Sequence, residues 1–447
     1  MVSVVKSLDP TSWRYAPGCH AALSEYDTKE GRYGYLRISR ITPARVRSPR
    51  CVGGVISSRC PAVLPMSLTG PVFLGAIVAC TVIAFVVLVL RWPALAGHSL
   101  DRIAARAGML LIVNILVLLT AATQLNAQFL FFADWTDLRG ALSGSYAATA
   151  LSRGATASHA VKKKVAGPAA AAGRLLPPLP AGGVDSRGVI SYTVRGPLSG
   201  ITGTVVVQLP PGYTNPASAT VRYPVLEALW GYPGSARSWI DVMNLGDVAA
   251  KQAAAKHLRP VLVVSPEVEI PAGVDTECVN GSGGRPQLET WLARDVPNWV
   301  THTFRVQTDR ASWASIGVSA GAWCAAMVTM LHPAQYSAAI VLGGYFRPEF
   351  GPFYEPYPPN SPLTTRYDLI SLSRRKPPPV AIWLETSHAD AVSYTLSAAF
   401  LKATKPPLAV QAMVLQHAGH RVSLWGGLLP GSLIWLGANV PGFKPKP

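Results

Sequence analysis

Charged side chains are scarce in this chain. They make up 14% of its 447 residues, against roughly a quarter in an ordinary soluble domain, and the deficit points to segments that lie in a membrane. Acidic residues are scarcer still: 23 Asp and Glu stand against 40 Lys and Arg, a formal net charge of +17. That balance favours anionic partners such as phospholipid headgroups or nucleic acid. The basic residues are dispersed and no recognised nucleic-acid motif accompanies them, so nucleic acid is not an expected partner. Cysteine is rare as well, with six in all and only Cys278 and Cys324 beyond position 81. Two readings of that pair stay open, one disulfide in an oxidising compartment or two separate buried thiols. H-E-x-x-H, paired C-x-x-C and P-loop patterns are missing, so no metal or nucleotide cofactor is expected.

Two long uncharged runs are present, at residues 71–90 and 107–132. Each is long enough to cross a bilayer core as a helix. Polar residues in the second, among them Asn114, Thr120, Thr123 and Asn126, suit a face turned toward the other helix or the interface. Arg91, Arg102 and Arg106 against Asp101 in the connection make it cytoplasmic by the positive-inside rule, which puts everything after Phe132 outside the plasma membrane. Residues 1–65 fit this poorly, because ten Lys or Arg against four acids would have to be exported. They read as a disordered leader or an over-extended start, with the two-helix unit spanning 66–133. Residues 134–185, rich in Ala, Gly, Ser and Pro, read as a linker, with Lys162, Lys163 and Lys164 a solvated tether.

From residue 186 to 440 apolar runs alternate with turns and helical stretches. Segments 189–194 and 202–209 alternate like an antiparallel pair. Segments 225–230, 261–265, 315–318, 338–342, 380–384 and 410–415 read as buried strands. The succession predicts an α/β fold, a mostly parallel sheet with helices on both faces. Residues 441–447 read as a tail.

Within that region Gly317-Val318-Ser319-Ala320-Gly321 is a G-x-S-x-G pentapeptide after a strand-like segment and before a helix-like one. The turn is so sharp that side chains at the glycine positions would collide, and it presents the serine hydroxyl at the top of the sheet. The following helix points its N-terminus at the site, favouring negative charge there. A nucleophilic serine needs a base, and in this fold the chain order is Ser, acid, His. His332 is too close in sequence to return to Ser319, and His388 falls where the acid is expected. His420, freed by Gly419, is the favoured base, with His417 the alternative. The acid belongs after the 380–384 strand, where Asp390 is favoured over Glu385. Backbone N–H groups of Ala320 and Tyr232 are the expected oxyanion donors, since Pro233 has none to give.

With these residues in place, the chain resembles the putative-esterase, or esterase-D-like, family of α/β-hydrolases, which includes the secreted mycolyltransferases, and among them its actinobacterial membrane-anchored members. The matching pieces run from Tyr223-Pro224-Val225-Leu226 into Trp230-Gly231-Tyr232-Pro233-Gly234, then through Asp275-Thr276-Glu277-Cys278 and Glu289-Thr290-Trp291-Leu292. They continue with Gly317–Gly321, His332-Pro333 and Gly343-Gly344-Tyr345, and end on Gly419-His420 before Trp425. The resemblance covers about 186–440 and implies Ser319 as nucleophile, His420 as base, an acidic third member and the Tyr232 and Ala320 backbone as oxyanion hole. It departs in having Trp230-Gly231 where the family has His-Gly or Asp-Gly. The expected activity is that of a membrane-anchored serine esterase or acyltransferase on an ester, of lipid or glycan from the cell envelope. The other reading is a catalytically silent envelope-binding protein that keeps the fold.

Overall fold

The structure, a computed structural model, describes residues 67–163, 165, 179, 183–351 and 354–445. The leader over 1–65 and most of the expected linker after Lys163 lie outside them.

Two helices come first, α1 (Pro71–Arg91) and α2 (Leu100–Phe129), both long and apolar enough to cross a membrane and both mostly exposed along their length. Thr81 Oγ1 lies 3.0 Å from Thr120 Oγ1 where the two helices pack. α2 begins before the uncharged run does, so Asp101, Arg102 and Arg106 sit in its first two turns and not in the connecting loop. Arg102 and Arg106 reach back to cap that loop, donating to the carbonyls of Ala96 (2.7 Å) and Gly97 (2.9 Å).

The expected linker is corrected by the structure. Asp134 caps a helix, α3 (Trp135–Ser143), by accepting from the Asp137 N–H at 2.9 Å. A strand follows, β1 (Ala148–Gly154), which pairs antiparallel with the last strand of the sheet from Ala148 opposite Leu415 to Gly154 opposite Ala409. Its sequence has no apolar alternation because an edge strand is held by backbone bonding on one side and here stays largely exposed. Composition alone therefore reads it as linker. Gly154 is required where the chain leaves the sheet: its φ is +75°, and a Cβ there would lie 1.9 Å from the Leu408 carbonyl oxygen.

Eight further strands follow: β2 (Val189–Arg195), β3 (Thr202–Gln208), β4 (Val225–Leu229), β5 (Leu262–Pro266), β6 (Trp313–Val318), β7 (Ala338–Leu342), β8 (Ala381–Ser387) and β9 (Ala409–Leu415). The sheet order is β1-β9-β8-β7-β6-β4-β5-β3-β2, parallel from β9 to β5, with antiparallel pairs at both edges. This is the α/β-hydrolase arrangement. The central strands are apolar throughout because both faces are covered. Val225 and Leu229 of β4 join the core cluster that contains the helix after β6, Ala320–Leu331, whereas Leu226 and Ala228 join the opposite cluster with the C-terminal helix Val422–Asn439. The expected tail is folded in part: Phe443 is buried and its carbonyl accepts from the Arg259 N–H at 2.9 Å.

Candidate active site

Ser319 sits at the end of β6 with φ 54° and ψ −127°, a backbone conformation that a non-glycine residue adopts only when its surroundings force it. The glycines of the pentapeptide do so by sterics. A Cβ on Gly317 would lie 1.9 Å from the Gly321 carbonyl oxygen, and one on Gly321 would lie 2.2 Å from that of Leu229. The turn is tied to the neighbouring strand by the Ser319 N–H, which donates to Leu342 O at 3.0 Å.

His420 lies in the loop after β9. Its Nε2 is 2.8 Å from Ser319 Oγ and its Nδ1 is 2.9 Å from Asp390 Oδ2. The Trp425 ring meets the imidazole edge-on, with centroids 4.8 Å apart. Asp390 follows β8 and is nearly buried. Burial pushes its carboxyl up, but hydrogen bonds from His420, the Ser393 hydroxyl (2.6 Å) and the Val392 N–H (3.0 Å) outweigh this and hold it below the usual carboxylate range. An ionised carboxylate there can orient the imidazole and stabilise its cation.

Glu385, the other candidate acid, takes a different place. It is fully buried near the end of β8, where it accepts from the Gly343 N–H (3.0 Å) and Trp425 Nε1–H (3.1 Å). Burial, aided by the charge of Asp390, pushes its carboxyl up to about 8. It thus holds the tryptophan that packs on His420. His417, the other candidate base, points elsewhere: its Nδ1 is 2.8 Å from Asp134 Oδ2. The His332 Nε2–H donates to Glu289 Oε1 at 2.7 Å, in a cluster with Arg366 and Tyr367.

The segment carrying Tyr232 approaches the serine closely. A Cβ on Gly231 would lie 2.8 Å from Val318 O and 3.0 Å from Ser319 Cβ, so only glycine lets the loop pass. Tyr232 is thereby the next residue after the contact, and its own hydroxyl donates to Gly273 O at 3.1 Å. Two carboxylates that sequence reasoning passed over shape this loop: Glu269 accepts from the N–H groups of Gly234 and Gly273, and Glu267 from that of Ala236. Their spacing in Pro266-Glu267-Val268-Glu269 after a buried strand was the available signal. On the helix that follows Ser319, Cys324 is joined to Cys278 in a disulfide, and Trp323 Nε1–H donates to Glu277 O at 2.8 Å. Among the described residues no three His, Cys, Asp or Glu side chains are grouped as a metal site would need.

Residues 200–435, more than half of the chain, match the putative-esterase family. The chain belongs to that family. An uncharacterised protein of Corynebacterium glutamicum is 28% identical over 144 residues, a match that spans 32% of this chain and 33% of that protein's length. Among solved structures, a ferulic acid esterase is 20% identical, with 56% of this chain and 96% of that one covered and a TM-score of 0.46. An S-formylglutathione hydrolase from Agrobacterium tumefaciens is 16% identical over 56% of this chain and 95% of its own, with a TM-score of 0.47. The family assignment rests on the sequence match.

Proposed function

We propose that this chain is a membrane-anchored serine esterase or acyltransferase with its α/β-hydrolase domain on the outer face of the plasma membrane. The observation that carries the reading is the unbroken hydrogen-bond chain from Ser319 Oγ through the His420 ring to Asp390, mounted on a strained turn at the end of a parallel strand. Ser319 is the nucleophile, His420 the general base, and Asp390 the acid that orients it. His420 Nε2 takes the Ser319 proton as Oγ bonds to the ester carbonyl carbon. The oxyanion is met by the backbone N–H groups of Ala320 and Tyr232. Collapse expels the alcohol, which leaves with the proton from His420, and an acyl-serine remains. Water or a second alcohol then repeats the sequence and releases the acyl group as an acid or a new ester.

The anchor is α1 and α2, and the basic residues that cap their connection support a cytoplasmic loop. His420 N–H donates to the carbonyl of Leu130, the first residue beyond α2, so the nucleophile lies beside the outer end of that helix. This placement supports an amphiphilic ester of the cell envelope, lipid or glycolipid, as substrate. The test is hydrolysis of p-nitrophenyl esters of increasing acyl length by the full chain in lipid nanodiscs, with and without an added sugar alcohol. Activity that rises with acyl length and is lost in Ser319→Ala is expected. Equal turnover by the native chain and Ser319→Ala would overturn the reading.

A further inference from the structure

The loop that carries His420 is fastened to the residues that leave the membrane hairpin. Three consecutive loop residues take part. The Gly419 N–H donates to Asp137 Oδ2 at 2.7 Å, and the His420 N–H donates to Leu130 O at 3.0 Å. The Arg421 guanidinium donates to Phe131 O at 2.9 Å and to the Tyr146 hydroxyl at 2.6 Å, and meets both oxygens of Asp137 at 2.8 and 2.7 Å. The same guanidinium lies over the Phe132 ring, 4.8 Å from its centroid. Gly419 is required here for space: a Cβ would lie 2.5 Å from the carbonyl oxygens of both Leu130 and Phe131.

The hairpin side of this contact is itself fixed. Leu130 caps α2 in the left-handed region, with φ 53°, and the Asn126 side chain accepts from the Phe132 N–H (2.7 Å) and donates to Phe132 O (2.9 Å). Asp137 Oδ2 also accepts from the Ala133 N–H at 2.9 Å. Asp137 has no exposed surface and Arg421 has 5%. A buried ion pair of this kind is poorly explained by stability alone, because desolvating both charges offsets much of their attraction and apolar residues of the same shape often serve as well. What a forked guanidinium–carboxylate pair supplies is orientation. It lies immediately beside the one imidazole whose position to within a fraction of an ångström decides proton transfer.

We propose that Asp137 and Arg421 are positioning residues, and that the exit from the second membrane helix is thereby a working wall of the active site. The proposal rests on the reading of His420 as general base. Activity then depends on the geometry of the hairpin's end, and the α/β domain alone is an incomplete enzyme.

The experiment uses the full chain in nanodiscs, with kcat and KM for p-nitrophenyl butyrate measured per folded molecule. Asp137→Asn and Arg421→Lys are compared with Glu289→Gln, which breaks a buried network with His332 and Arg366 away from the histidine loop. The two positioning variants are expected to lower kcat about 10- to 100-fold, with KM changed less than about twofold. Glu289→Gln is expected to lower the melting temperature and leave kcat unchanged. Melting temperatures that fall in Asp137→Asn and Arg421→Lys while kcat stays native would overturn the proposal, reducing the pair to a stability element. Should either variant fail to fold, Tyr146→Phe removes one hydroxyl from the same guanidinium. It is expected to lower kcat about threefold, and a native kcat there counts against the proposal. An active native chain with unaffected variants defeats this proposal alone; an inactive native chain defeats the esterase reading and this proposal with it.

Discussion

Ser319 and His420 lie 2.8 Å apart, yet they are held by regions of different kinds. The serine is fixed from within the sheet, by two glycines whose missing side chains let β6 turn into its helix and by a hydrogen bond to β7. The histidine is fixed from outside the sheet, by Asp390 and Trp425 on one side and by the segment leaving α2 on the other. A strained turn inside a close-packed core has one conformation. A loop joined to a neighbouring segment by hydrogen bonds is as well placed as that segment allows.

The supports of the serine and of the histidine can be disturbed separately. The largest effect is expected from Asp390→Asn, which leaves the shape of the site but removes the charge that orients His420: kcat should fall about 10³- to 10⁴-fold with the melting temperature nearly native. Glu385→Gln, one strand end away, should stay within about threefold of native kcat; a loss equal to that of Asp390→Asn would exchange the two carboxylates' roles.

Gly317→Ala should act on stability first. Its Cβ cannot be placed without moving the backbone of Gly321, so a loss of several kcal/mol is expected, at the severe end for single substitutions. Thermal unfolding reads this, and a native melting curve would mean that the turn is less constrained than its geometry. Removing the Cys278–Cys324 disulfide as Cys278→Ser with Cys324→Ser should cost about 2–4 kcal/mol, from freeing a loop with a sequence separation of 46. Denaturant midpoints with and without reductant check it.

Per group and per pH unit, the smallest effect is a pH dependence. Glu385 and Glu227 are both buried, and burial pushes each up to about 8 from an ordinary value near 4.5. Between those values the folded state keeps protons that the unfolded state has lost, so stability should fall as pH rises from about 5 to 8. Each fully responding group contributes about 1.4 kcal/mol per pH unit. Melting temperatures over that range in native and Glu385→Gln chains should converge toward low pH and separate toward pH 8; a constant difference would contradict the assignment.

The two regions also differ in how far they could be read from sequence. The serine turn was legible because its constraint is local: glycine, serine and glycine at fixed spacing between a strand pattern and a helix pattern. Six strands were legible for the same reason, from apolar runs that burial on both faces requires, and the antiparallel pair at 189–194 and 202–209 from its alternation. Asp390 was favoured over Glu385 from its place after the strand, and the structure puts Asp390, and not Glu385, on the imidazole. The histidine loop's other partners were not legible. Asp137 and Tyr146 lie some 280 residues earlier, in a stretch whose small residues read as linker, and β1 reaches the sheet through backbone pairing that leaves no apolar pattern. The one local sign was Asp134-Trp135-Thr136-Asp137, a capped helix start directly after an apolar run. From sequence Gly419 reads as a source of backbone freedom, but the structure makes it a matter of space, since the exit segment runs against it.

Every step of the proposed reaction begins with Ser319 as an activated nucleophile. The most direct measurement is a fluorophosphonate labelling of the full chain in nanodiscs followed by peptide mapping. One phosphonyl group on the peptide containing Ser319, lost in Ser319→Ala and strongly slowed in His420→Ala, is the predicted result. A native chain that takes up no label, or takes it up at another residue, would contradict it.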